Sequence, residues 1–309
     1  MKRVLALVLL LAAQPAAAFD MSRSGDQQIQ VYADNGIEWQ SDATRVIATG
    51  NAKAVRGTMT VTADTLTAYY RKGPKGDEIW RLDADGNVTI ASPTETATGY
   101  KGIYDLDKAV FVLHGRPAKL VTPTESYTAN DTIEYWENER MAVLRGKAVA
   151  VQADKTLKGD VLTAHFLDRE EAKGKTLHSG KGGTAKKAEG GGGLQLQRAD
   201  AYGNVVIITA TEEVTGDRGD YNVETGIATV SGSVKIVRED NQLNGGFAHV
   251  DLNTGVSKLF GTAPGGRDGG QRVQGLFVPE KKDMDSRRAV FRGSAPTRPD
   301  GGSQPQTGR

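Results

Sequence analysis

Ala48-Thr49-Gly50-Asn51-Ala52 and Ala84-Asp85-Gly86-Asn87-Val88 are two copies of the pattern that decides the fold. Five further copies surround Gly115, Gly146, Gly203, Gly232 and Gly261. Two residues before the glycine stand Ala48, Ala84, Leu113, Leu144, Ala201, Val230 and Leu259. Two residues after it stand Ala52, Val88, Pro117, Ala148, Val205, Val234 and Ala263, and all fourteen are apolar. Residues two apart on a strand share a face, so both flanks point to one side. A two-residue hairpin would set them on opposite faces. The pattern therefore favours a long strand bent at the glycine, with a three-residue turn also compatible.

Working outward, the glycines are spaced by 36, 29, 31, 57, 29 and 29 residues, a unit of about thirty. A shift of 96 carries Ile37, Glu38, Gly50 and Ala52 onto Ile133, Glu134, Gly146 and Ala148, and Asp64, Leu66 and Thr67 onto Asp160, Leu162 and Thr163. A shift of 117 carries Gly86-Asn87-Val88 onto Gly203-Asn204-Val205. Turns fall at Ser41-Asp42-Ala43, Pro74-Lys75-Gly76, Asp105-Leu106-Asp107, Glu137-Asn138-Glu139, Glu224-Thr225-Gly226 and Asn253-Thr254-Gly255. Short connections demand antiparallel pairing. About 14–16 strands exceed what one flat sheet carries, so the sheet folds on itself as a long jelly roll or β-solenoid. Its free edges are expected at Gln30–Ala33 and Phe247–Leu252.

The flanks of this all-β core read differently. Lys2-Arg3, the apolar run Val4–Leu11 and Ala16-Ala17-Ala18 form a signal peptide over residues 1–18. The jelly roll is expected over 19–261, interrupted at 168–193 by a disordered Gly/Lys-rich insertion, with a low-complexity tail at 262–309. Within that tail Val273–Val278 reads as a docking segment or a lone strand. The tail carries nine basic and five acidic residues, as a solvated linker or a contact for an anionic surface would. Export combined with the absence of Cys fits a bacterial periplasm, where disulfides are permitted but not required.

Composition excludes much chemistry. With no Cys among 309 residues, disulfide scaffolds, thiolate catalysis and Cys-ligated metals are out. Balanced charge, 39 Lys+Arg against 38 Asp+Glu, argues against nucleic acid as a partner. His114, His165, His178 and His249 are dispersed, so no metal site is expected. Ser231-Gly232-Ser233 lacks a nucleophile-elbow frame, and Gly180-Lys181-Gly182-Gly183-Thr184 lacks the first glycine of a phosphate loop. Asp64 and Asp160 read as turn or strand-start residues. Neither enzymatic activity nor a cofactor is expected.

The segments Val31-Tyr32-Ala33-Asp34, Val61–Tyr70 and Ala48–Ala52 resemble the OstA-like family over residues 29 to 261. That resemblance implies a twisted, open β-jelly roll whose apolar groove holds the lipid A acyl chains of lipopolysaccharide. It also implies end-to-end stacking, as a head-to-tail homo-oligomer and between an LptC-like inner-membrane partner and an LptD-like outer-membrane partner. The insertion after Leu167 and the long tail depart from the family's compact form. The expected groove lining is Ile37, Val46, Ala48, Leu66, Leu82, Val88, Ile90, Phe111, Leu113, Ile133, Leu144, Leu162, Val205, Ile207, Val230 and Ile236, the alternative being that these residues pack against each other in a filled core. Several lining positions are alanine, too small to fill a wide interior, which favours a void. The rival readings are a repeat-built structural cell-envelope protein without cargo and a polysaccharide-processing β-helix enzyme.

Overall fold

Stretches rich in Val, Ile, Thr and Tyr, alternating in side-chain polarity and punctuated by short turns, form strands throughout. The computed structural model describes residues 28–74, 76–168, 194–251, 253–254, 256–263 and 272–278. The expected signal peptide, most of the expected insertion and most of the expected tail lie outside the described residues. The strands are β1 (Gln30–Tyr32), β2 (Gly36–Gln40), β3 (Arg45–Arg56), β4 (Met59–Gly73), β5 (Gly76–Ala91) and β6 (Thr96–Asp105). They continue with β7 (Val110–His114), β8 (Ala118–Val121), β9 (Glu125–Ala129), β10 (Thr132–Trp136), β11 (Met141–Gln152) and β12 (Lys155–Asp168). The last are β13 (Leu194–Ile208), β14 (Glu213–Asn222), β15 (Ile227–Arg238), β16 (Asn241–Asp251), β17 (Val256–Phe260) and β18 (Gln274–Leu276). The chain divides into two units, Met1–Leu276 and Phe277–Arg309; of the second only Phe277 and Val278 are described.

All eighteen strands join one antiparallel sheet. Their count exceeds the expected 14–16 because some levels of the sheet are divided between two short strands. There are fourteen levels, or rungs: ten continuous strands and four divided rungs. The divided rungs are β2 with β1, β7 with β8, β10 with β9, and β17 with β18. One leaf of the folded sheet contains β2, β7, β10 and β17; the other contains β1, β8, β9 and β18. Among the described residues, turns lie at 41–43, 106–107, 137–139, 224–226 and 253–254, as expected; Lys75 and Gly255 lie outside the described residues.

The bend between the leaves is a column of β-bulges at Gly50-Asn51, Gly86-Asn87, Gly146-Lys147, Gly203-Asn204 and Gly232-Ser233, each marked by a register shift. At Gly86 φ is +78° and at Asn87 +48°, two consecutive residues in the left-handed region. Glycine enters that region freely and Asn more readily than most residues. A Cβ on Gly86 would also collide with the Asp64 carboxylate. Asn87 donates to Asp64 at 3.0 and 3.1 Å, and Asn204 donates to Asp160 at 2.8 Å. Asp64 and Asp160 are thus mid-strand braces at the bend, not the turn or strand-start residues expected. Gly115 and Gly261 also differ from the pattern: Gly115 lies between β7 and β8, and Gly261 follows β17. Pro117 and Ala263, their downstream partners, are exposed because no continuous strand carries them inward.

Eleven of the fourteen flanking apolar residues are buried, and Leu259 is half-buried. All of the buried ones but Ala48 and Ala52 belong to one core that runs from Ala63 to Val250, and Leu259 packs against it. Two boundaries shift from expectation. The sheet continues past residue 261, because Gln274–Leu276 adds β18 to β16. Phe247–Asp251 is not an edge, because the turn at Asn253-Thr254 returns the chain as β17 against it. Among the described residues the edges are instead β1 and β2 at one end and β17 and β18 at the other.

Candidate functional site: an apolar cavity at the first rungs

Where the first rungs meet, the leaves enclose an open cavity of about 450 Å³. Val46, Ala48, Ala54, Val61, Leu66, Ala68 and Leu82 line it, with Trp39, Tyr70, Tyr104 and Phe111 as its aromatic wall. Within one leaf Val46 and Ala48 on β3, and Leu66, Ala68 and Tyr70 on β4, are two residues apart, so strand alternation aims them inward. Ala54 and Val61 join them from beyond the bend at Gly50. The charged residues of the lining are Arg56, Asp77 and Asp83. Asp77 is bonded to Lys72 at 2.8 Å, and Asp83 to Arg81 at 2.6 Å. Hydrogen bonding to Asp83 holds the Arg81 pKa above its ordinary value, against the opposing cost of burial.

Trp39 forms the rim. It is 65% exposed, packs edge-on against Tyr70 at 5.8 Å between centroids, and donates its indole N–H to the Tyr70 hydroxyl at 2.9 Å. Ile29, Val31 and Ile37 are exposed beside it, so the mouth is apolar.

Of the sixteen expected lining residues, Val46, Ala48, Leu66, Leu82, Ile90 and Phe111 meet at this cavity. Ile37 lies at the edge, on the same face as its partner Ala48 but 53% exposed. Val88, Leu113, Ile133, Leu144, Leu162, Val205, Ile207, Val230 and Ile236 are buried against other side chains in the core. Ile236 also borders a void of about 60 Å³ with Glu212, Val214, Leu243 and Leu259. Trp39, Tyr70 and Met59 were absent from the expected lining. Continuing the alternation from Ile37 to Trp39 and from Ala68 to Tyr70 finds two of them.

Buried polar groups elsewhere brace the strand ends. Ser92, Thr122 and Thr209 each accept from the backbone N–H of the glutamate three residues on, at 3.0–3.2 Å. Glu125 then accepts from Tyr127 and, at 2.6 Å, from Gln152. Burial and the Glu125 charge push the Tyr127 pKa up. On the outer face Asp200 accepts from Arg198 at 2.5 Å. Among the described residues no group of three or more His, Asp or Glu could hold a metal.

Comparison with known proteins adds three findings. The family described as "LptA/(LptD N-terminal domain) LPS transport protein" matches twice, over residues 30–131 and 129–256. An uncharacterised protein of Rhizobium meliloti (strain 1021) is 34% identical over 102 residues, which make up 31% of this chain; the match spans about half (54%) of that relative's length. The crystal structure of LptH, the LptA-homologous periplasmic component of the lipopolysaccharide transport device of Pseudomonas aeruginosa, is 12% identical. That comparison covers 82% of this chain and 96% of that one, with a TM-score of 0.20.

Proposed function

This chain belongs to the LptA/LptD N-terminal-domain family of lipopolysaccharide-transport proteins, and on that premise we propose that it carries lipopolysaccharide by holding an acyl chain in the cavity of its first rungs. The open apolar cavity of about 450 Å³ is the observation that carries this reading. At roughly 30 Å³ for each water-sized group it admits about fifteen methylenes, the length of one acyl chain. Burying each contributes about 0.8 kcal/mol, so affinity needs no polar motif. A lipid with several acyl chains engages by one of them unless the leaves spread. The work is binding and release, with no bond made or broken.

The basic, apolar start of the sequence supports export to the periplasm, where such a carrier works between two membranes. Edge strands that among the described residues pair on one side only, at both ends, support an end-to-end bridge, with an LptC-like protein at one end and an LptD-like protein at the other. Mass spectrometry of protein purified from an envelope extract tests the cargo: bound lipopolysaccharide is expected. Leu66→Asp and Leu82→Asp should abolish it, while Lys119→Glu on an exposed site should not. A cargo-free preparation that still polymerises would favour the structural cell-envelope reading instead.

A further inference from the structure

The two ends of the sheet are complementary in ways that a generic sheet edge is not. Each terminal rung is divided, with three residues in one leaf, β1 or β18, and five in the other, β2 or β17. Among the described residues each of these four strands is hydrogen-bonded to one neighbour only. The rungs alternate in direction and number fourteen, so the last runs opposite to the first. Placing the last rung of one copy on the first rung of another therefore continues the antiparallel order in both leaves.

We propose that the C-terminal docking rung is assembled from two separated segments, β17 and the tail strand β18, and that a second copy's β2 and β1 pair with them in a single register centred on Lys258 and Glu38. This rests on the end-to-end reading above and specifies its contact. Lys258 and Glu38 are the middle residues of β17 and β2, both exposed and of opposite charge. Setting them opposite places Ile37 across from Leu259 and Trp39 across from Ser257. All four share the inner face: Ile37 and Trp39 pair with Ala48 and Val46, and Leu259 and Ser257 pair with Ala248 and Val250. In the other leaf the same alignment of faces sets Val31, opposite Ala54, against Gly275, opposite Leu243. A residue slip in either leaf would turn the apolar side chains outward. β1 and β18 carry no charged residue, so neither strand has the charge that usually guards an edge.

The chain contains no cysteine, so a directed cross-link reads the contact. Glu38→Cys and Lys258→Cys are placed in separate full-length mature chains, mixed under oxidising conditions and run on a non-reducing gel. A covalent dimer is expected from the mixture and from neither variant alone, since cross-strand partners lie within disulfide reach. Glu38→Lys should weaken association about tenfold, and Lys258→Glu in the partner copy should restore it. Removing residues 272–309 should also weaken association at least about tenfold while leaving the unfolding midpoint unchanged. Association that persists or strengthens after this truncation overturns the role of β18. Wild-type chains that associate but give no mixed cross-link overturn the register and leave the end-to-end reading standing. Wild-type chains that remain monomeric at every concentration in sedimentation remove both.

Discussion

Residues 30–131 and 129–256 each match the same family, yet the first encloses a cavity of about 450 Å³ and the second borders a void of about 60 Å³. Size of residue accounts for part of the difference: Ala48 corresponds to Leu144 under the 96-residue shift. Position accounts for the rest. Ile37 and Ile133 are the same residue at the same repeat position, but Ile37 is 53% exposed and Ile133 is 8%. Ile133 sits on β10, flanked by β7 and β11, whereas Ile37 sits on β2, which has β3 on one side only. At the first rungs the interior stays open where no further rung bounds it, whereas at the last rungs a void of about 60 Å³ remains. A ligand pocket can thus arise from where a repeat stops, with little change in the repeat.

The largest test of this contrast is a pair of equivalent truncations. Leu162→Ala removes packing from a closed core and should cost about 2–5 kcal/mol in urea unfolding. Leu66→Ala, its counterpart beside the cavity, should cost less than about half of that because its surroundings are already open. Equal costs would dissolve the distinction between the two regions.

The second contrast is between a bend glycine and a strand glycine. Gly86→Ala forces a left-handed backbone and a clash with Asp64, and should cost about 1–3 kcal/mol. Gly102→Ala meets Val88, Ala84 and Phe111 at ordinary contact distances of 3.6–3.8 Å and should be neutral or slightly stabilising by thermal melting. Instability of both would indicate a packing cause in place of the bend.

Smaller still is the rim. Trp39→Ala removes the edge-on ring contact to Tyr70 and should weaken binding of a fluorescent acyl probe about three- to tenfold, with the melting temperature little changed. Unchanged affinity would move the acyl site away from the mouth.

The smallest effect lies at the last rungs, where Glu212 borders the smaller void. Burial raises the Glu212 pKa above 4.5, partly offset by Arg238. The folded state therefore holds that proton more tightly than the unfolded state. The resulting stability is present below about pH 4.5 and is lost as pH rises through the raised value. Glu212→Gln should remove that decline in a pH series of unfolding midpoints. A decline that persists in the variant would assign it to another group.

Much of the fold was legible in residues. The glycine-centred stretches revealed the bends, because positions two before and two after a bulge keep a common face. The pairing of Asp64 with the Gly86-Asn87 bend was not legible, since its partners are more than twenty residues apart. The division of a rung at Gly115 was also hidden, because Leu113 and Ala118 are buried on either side of a break that repeats the same apolar pattern. For the cavity, the sequence named Val46, Ala48, Leu66, Leu82, Ile90 and Phe111 together with nine residues that close the core. Alternation marks the inner face, but only neighbouring rungs determine which part of that face meets empty space.

The sequence by itself determined the bends, the antiparallel order, the inward face and the repeat, because each follows from local backbone preference and side-chain alternation. The tertiary structure decided where the interior stays open, that Gln274–Leu276 joins the sheet and that Phe247–Asp251 lies inside it. Those outcomes depend on which strands lie beside one another, and strand adjacency is a property of the folded sheet.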